Sequence, residues 1–207
     1  MDKKIVTVSK DMKELGLGAL LLANRLASLQ DTIIDKWEEQ SFLLVSSAFE
    51  FLVNSKILEE NYPSMICEWN LMAEKLTQLT GISFDINQLL FFYKIRRDFS
   101  IYGSTNKVAS LYLQTLNFIY EIIDPFIYNC WGLYAVDYIL YENEYEDEDR
   151  TKKIYLDLIK KLISNEIKFL VSKKAAEYIS EWEYCLETCS SQYKCSMRKR
   201  INDIINL

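Results

Sequence analysis

Arg97 and Asp98 stand at the end of a very apolar run, Leu89-Leu90-Phe91-Phe92-Tyr93-Lys94-Ile95-Arg96, and Tyr102 and Gly103 follow closely. A guanidinium grips phosphate through paired N–H donors and stacks on bases, while a carboxylate and a phenol can exchange protons with a bound group. Arg97, Asp98 and Tyr102 are therefore the candidate catalytic set if the chain is an enzyme, and Lys94, Arg96 and Arg97 are candidate RNA-binding residues. The structural alternative has Asp98 pairing with Arg97 or Lys94 at a helix end, where cations suit the helix dipole, and Tyr102 packing at a helix corner. Proton transfer near neutral pH is the weak point of the catalytic reading. The chain contains no histidine, the commonest general base and the usual activator of Ser and Cys nucleophiles. A tyrosine of ordinary pKa, about 10, supplies almost no base at pH 7.

A second basic group lies at Arg198-Lys199-Arg200, with Lys194 just before it. Contact with backbone phosphate is its functional reading and a solvated tail the alternative. Cys185, Cys189 and Cys195 lie close together, but neither a fourth Cys nor a His is near, so free thiols are expected rather than a zinc site. The carboxylate pairs Glu38-Glu39 and Glu59-Glu60, and the acidic run from Glu142 to Asp149, lack the alternating ligands and central Gly of a calcium loop. Neither a metal nor a cofactor is expected. Leu15-Gly16-Leu17-Gly18 lacks the third glycine of a dinucleotide fingerprint and the Lys-Ser/Thr of a phosphate loop. Aromatic clusters at Phe91-Phe92-Tyr93 and along Tyr112, Phe118, Tyr120, Phe126 and Tyr128 offer stacking surfaces for bases. Their helical spacing fits a core or a dimer seam better.

The elements that must position these groups read as helices. Ile34, Trp37, Phe42, Val45, Phe49, Leu52 and Val53 recur at helical spacing behind Asp31, a candidate N-cap. A second helix is predicted from Pro63 through Ile66, Trp69, Met72, Ala73, Leu76 and Leu79 to Gly81, forming an antiparallel hairpin with the first. Asp85 starts a third, ending near Gly103. A fourth, capped by Ser104 or Thr105, runs toward Asp124-Pro125, where proline should stop or kink it. A further piece leads from Ile127 to Tyr141, more helices follow the acidic run, and KKIVTVSK at the N-terminus reads as a short strand or a tail.

Residues 89–127 resemble the motif region of HEPN domains, a helical family of nucleotide-binding domains and ribonucleases. The family motif is an Arg, a polar residue, a few further residues and a catalytic His, often before a small residue. Here Arg97, Asp98 and Gly103 fit, and the His position falls on Tyr102. The resemblance implies a helical bundle that homodimerises through the helix carrying Arg97 and binds RNA or a protein partner in a prokaryotic defence or toxin-antitoxin system. Tyr102 departs from the active pattern. General acid–base assistance is worth roughly 10²–10⁴-fold, so a non-cleaving module is expected. The alternatives are a metal-independent ribonuclease of changed mechanism, using Arg97, Asp98 and Tyr102, and a helical adaptor subunit with no nucleic-acid role.

Composition sets the frame for these readings. The 207 residues are 50% apolar and 26% charged, with five Gly and two Pro, enough for one large core and too few turn-makers for a sandwich or barrel. The expected fold is an all-α, HEPN-like bundle over 1–141, an acidic loop over 142–150, and C-terminal helices over 151–207 that pack on the bundle or extend it. Residues 1–150 carry 13 Lys/Arg against 23 Asp/Glu, a balance of −10, whereas 151–207 carry 11 against 7, a balance of +4. That asymmetry points to an anionic partner near the C-terminus. The odd cysteine count and a Met-Asp-Lys-Lys opening with no apolar run after it predict a reducing, cytoplasmic setting. Uninterrupted apolar stretches such as 18–23 are far too short for a membrane helix, so no membrane partner is expected.

Overall fold

Residues 3–29, 36–60, 62, 64–102, 110–140, 147–181 and 190–207 are described by a computed structural model, and among them every regular element is helical. The first is α1 (Lys3–Leu29), where a short strand or tail was expected. Met12, Gly16, Leu20, Ala23 and Ala27 recur at threes and fours and form its buried stripe. Packing of that stripe overrides the strand-like local preference of Ile5-Val6-Thr7-Val8.

Helix α2 (Trp37–Glu59) runs antiparallel to α1. Ser55 Oγ donates to Ser9 O at 2.9 Å and Ser41 Oγ donates to Ala23 O at 2.8 Å, so numbers rise along one helix as they fall along the other. Between these contacts a Cβ on Gly16 would lie 2.7 Å from Leu52 Cγ, so the glycine is what lets the two helices approach. The Gly16 stretch is helix interior, and the long antiparallel pair is α1 with α2 rather than α2 with α3. Phe42, Val45, Phe49, Leu52, Val53 and Ile57 make α2 the centre of the core. It is long and apolar enough to cross a membrane, yet 67% of its most apolar window is buried inside the bundle, as in the core helix of a globular domain.

Helix α3 (Trp69–Thr80) starts later than the apolar period predicts. The cause is Asn54 of α2, whose Oδ1 accepts from Ile66 N at 2.8 Å while its Nδ2 donates to Ile66 O at 2.9 Å. Both backbone groups of Ile66 are thereby withdrawn from helix formation. Gly81, at φ 74°, ends α3 as expected. Helix α4 (Ile86–Tyr102) begins as expected too, with Asp85 Oδ1 accepting from the amides of Asn87 and Gln88. Asp31, Ser104 and Thr105, the other expected caps, lie outside the described residues.

Helix α5 (Leu111–Asn117), capped by Ser110, continues through a π-helical segment (Phe118–Ile123) into α6 (Asp124–Trp131). The helical backbone therefore runs on past Pro125, where a stop or kink was expected, and changes from π to α geometry next to it, at Asp124. In α geometry the proline ring would clash with the carbonyl four residues back, at Glu121. The wider π turn, bonded over five residues, relieves that clash. Gly132, at φ 66°, closes α6, and a single 3-10 turn follows at Ala135–Asp137.

Helix α7 (Glu148–Ser164) takes in the end of the acidic run: Asp147 is its N-cap and accepts from Arg150 N at 3.0 Å. Glu148 and Asp149 sit in the first turn, where the dipole favours them, so 147–150 is a helix start rather than loop. Helices α8 (Lys173–Ser180) and α9 (Ser191–Ile205) follow. Tyr155, Leu158, Ala175, Met197 and Ile201 share one core with Leu20 and Phe42, so the C-terminal helices pack into the bundle.

Candidate functional site

Successive residues of α4 leave the helix about 100° apart, and that rotation sorts the candidate residues. Phe92, Ile95 and Phe99 turn inward, and Phe92 stacks parallel on Phe118 with ring centroids 4.5 Å apart. Arg96 stands at the edge of this inner face. Its guanidinium pairs with Glu50 of α2, Nη2 donating to Oε2 at 2.9 Å, and its Cζ lies 5.6 Å from the centre of the Trp69 ring. Trp69 Nε1 donates to Oε1 of the same carboxylate at 2.8 Å. Burial lowers the Arg96 pKa from its usual value, and an arginine stays charged nonetheless. Arg96, expected to meet RNA, instead joins α2, α3 and α4 through Glu50.

Arg97 is exposed, as is Lys94 one turn earlier, and Asp98 is half-buried. Neighbouring helical residues do not face each other, so Arg97 and Asp98 are adjacent in sequence without forming one charged site. Tyr102 is the last residue of α4; its side chain, and Gly103, lie outside the described residues. The outer line of α4 runs Ile86, Leu90, Lys94, Arg97, Ile101, at steps of four, four, three and four. Leu90 is 44% and Ile101 61% exposed, with Phe91, 46% exposed, beside them.

On α9, Arg198, Lys199 and Arg200 are all exposed. Arg200, about 200° from Arg198, donates to Phe169 O at 3.4 Å and lines a recess of about 380 Å³ with Tyr120, Glu121 and Lys168. Helix α9 packs on α8, whereas α4 packs on α2 and α3. The two basic groups sit on different parts of the bundle.

Sequence reasoning passed over Asp124. Fully buried, it accepts from Ala135 N and from Leu170 N, each at 2.7 Å, one on either carboxylate oxygen. Next to it Tyr120 Oη donates to Asn24 Oδ1 at 2.9 Å, and Asn24 Nδ2 donates to Ala135 O and Tyr138 O, both at 3.0 Å. Ser172, the N-cap of α8, donates to Asp137 Oδ1 at 2.7 Å. Burial pushes the Asp124 carboxyl up to about 7, against the two amides that favour its charge. Burial raises Asp137 as well, and takes Tyr120 well above its ordinary value. A carboxyl near 7 matches a general base, but here both oxygens are occupied and neither reaches solvent. Its work is to tie the start of α6, the 3-10 turn at Ala135 and the stretch before α8 together, while Asn24 brings α1 to the same place. The one signal in the sequence is a lone carboxylate between Ile122-Ile123 and Pro125-Phe126-Ile127.

Among the described residues no three His, Cys, Asp or Glu side chains gather as metal ligands. Cys67 and Cys195 are exposed, and burial pushes the Cys130 thiol up to about 12, far from a reactive thiolate. Cys185 and Cys189 lie outside the described residues. Compared with known protein families, curated proteins and solved structures, the chain matches none.

Proposed function

We propose that this protein is a non-catalytic, HEPN-like helical binding module of a prokaryotic defence or toxin-antitoxin system, working in the cytoplasm, and that it holds a protein partner on the outer stripe of α4. The observation that carries this reading is the exposure of Ile86, Leu90, Phe91 and Ile101 on one helix around Lys94 and Arg97. A run of exposed apolar side chains on a helix face marks a contact surface. Its cationic middle suits a partner groove with apolar walls and an acidic rim. The resemblance of residues 89–127 to HEPN domains supports the biological setting. The missing histidine and the divergence of Asp98 from Arg97 speak against cleavage.

RNA binding is the second reading, favoured by Lys94 and Arg97 one turn apart and by exposed Arg198 and Lys199. A photo-crosslinking residue at position 91 in host cells, together with metal-free binding and cleavage assays on mixed RNA, separates the readings. The expected result is one discrete crosslinked protein, lost in Leu90→Gln/Ile101→Gln, and intact RNA. RNA retention that weakens in Arg97→Ala, with a shallower salt dependence, would replace the leading reading by the second. RNA cleavage that disappears in Arg97→Ala would establish the ribonuclease.

A further inference from the structure

The π turn before Pro125 leaves one carbonyl without a donor in its own helix. Asp124 N donates to Ile119 O, five residues back, and Pro125 has no N–H to give. The Tyr120 carbonyl, which α geometry would join to Asp124 and π geometry to Pro125, therefore receives neither bond. A helical carbonyl points along the axis toward the residues it would bond, so this acceptor is directed at Pro125. Pro125 and Tyr120 both line the recess of about 380 Å³ beside α9. The Tyr120 hydroxyl is engaged inward by Asn24 at 2.9 Å.

The rest of the wall carries charge of both signs. Lys168, Arg200 and Glu121 are exposed there, and neither cation pairs with a carboxylate among the described residues. Arg200 gives one long bond, 3.4 Å, to Phe169 O, which leaves most of its five N–H donors free. Glu121 Oε2 accepts from Gln88 Nε2, and Oε1 takes no bond within the described residues. Half-buried Pro125 and Leu170 supply an apolar side. The rings of Tyr120 and Phe169 are each only 2% exposed, so a base has no face to stack on.

A simple anion in this recess would set its charge against Glu121 and the Tyr120 carbonyl, and a simple cation would meet Lys168 and Arg200. A molecule that carries both charges close together suits all four groups. We propose that the recess binds a free α-amino acid with an apolar side chain, its carboxylate on Lys168 and Arg200, its ammonium group on the Tyr120 carbonyl and Glu121, and its side chain against Pro125 and Leu170. A volume of about 380 Å³ is at the small end of ligand pockets, as an amino acid requires. The inference stands apart from the proposed function, because the recess uses none of the outer stripe of α4.

Leucine is the probe, titrated calorimetrically into the whole chain beside 4-methylpentanoate, which lacks the ammonium group, and isoamylamine, which lacks the carboxylate. Leucine should bind saturably, and each analogue at least about tenfold more weakly, since each loses a charge-assisted contact. Lys168→Gln and Arg200→Gln should each weaken leucine at least about tenfold while thermal melting stays unchanged. Glu121→Gln should weaken leucine and strengthen 4-methylpentanoate, a change of opposite sign that a general loss of structure would not produce. The proposal is overturned if neither leucine, isoleucine, valine, methionine nor phenylalanine binds saturably, or if leucine binding is unmoved by both Lys168→Gln and Arg200→Gln. Binding of 4-methylpentanoate as tight as that of leucine also overturns it and makes the recess a plain anion site. Single-stranded RNA that binds where leucine does not, and weakens in Lys168→Gln and Arg200→Gln, overturns it in favour of RNA.

Discussion

Arg96 and Arg97 are consecutive and chemically identical, and α4 sends them to different regions of the molecule. Arg96 is enclosed by Glu50 and Trp69 and holds three helices together; Arg97, about 100° further round, stands among apolar side chains in solvent. Gly16 and Gly18 repeat the contrast on α1. One lets Leu52 approach the helix axis, and the other opens a groove outward. In both pairs helical phase, not residue type, decides whether a side chain serves the core or the surface. The inner region satisfies nearly all of its polar groups from within, down to both oxygens of Asp124, and leaves the buried Ser28 hydroxyl without a partner among the described residues. The outer region, among the described residues, leaves large apolar groups such as Leu90, Phe91 and Ile101 exposed.

That division is most exposed to test at Asp124. Asp124→Ala strands the Ala135 and Leu170 amides, at about 1–3 kcal/mol each, and urea denaturation should show a loss of about 4–6 kcal/mol once lost packing is included. A loss below about 1 kcal/mol would put Asp124 in the same class as surface residues.

Nearly as large is a pH effect of known sign. The carboxyl titrates at 3.8 in the unfolded chain and at about 7 in the fold, so the folded state binds this proton more tightly. Its contribution is greatest below the lower value and is lost as pH rises from about 4 to about 7, by up to about 4 kcal/mol. Asp124→Asn lacks the titration, so the stability difference between wild type and this variant should fall across that window and level off above it. A difference that does not vary with pH would mean that the amides keep the carboxylate charged throughout.

The arginine pair comes next. Arg96→Ala should cost about 2 kcal/mol, less than a fully buried ion pair because the Arg96 and Glu50 side chains are 28% and 25% exposed. Arg97→Ala should stay within about 0.5 kcal/mol. Equal changes in thermal melts would dissolve the contrast. The glycines give the smallest effects and opposite signs: Gly16→Ala destabilises by about 1 kcal/mol as Leu52 is displaced, and Gly18→Ala stabilises the fold by up to about 1 kcal/mol. Calorimetry of the two variants reads the sign directly.

Features held by local chemistry were legible in the sequence. The all-α class follows from spacing and scarce turn-makers, α4 starts at the Asp85 cap, and α3 ends at a left-handed Gly81. Features decided at a distance were not. Residues Ile5-Val6-Thr7-Val8 look like a strand, yet they lie in α1, whose buried stripe begins after them at Ser9 and Met12, and Ile66 is kept out of α3 by Asn54, twelve residues earlier. The basic cluster at 94–97 was visible as a cluster, but the partner that withdraws Arg96 lies 46 positions away. Asp124 finds its donors 11 and 46 positions on, so nothing near it in the chain announced its role.

The π segment also sets the timing of everything after it. Each α-helical residue advances the direction of its side chain by about 100°, and a turn that holds an extra residue sets all later ones back by that step. Deleting one residue within 118–123 would swing Asp124 about 100° away from the Ala135 and Leu170 amides and bring the Pro125 ring against the carbonyl four residues back. Such a protein would keep its helical content and lose its bundle. The irregular turn is thus a phase shifter, indexing the first half of one long helix to α2 and its second half to the stretch before α8.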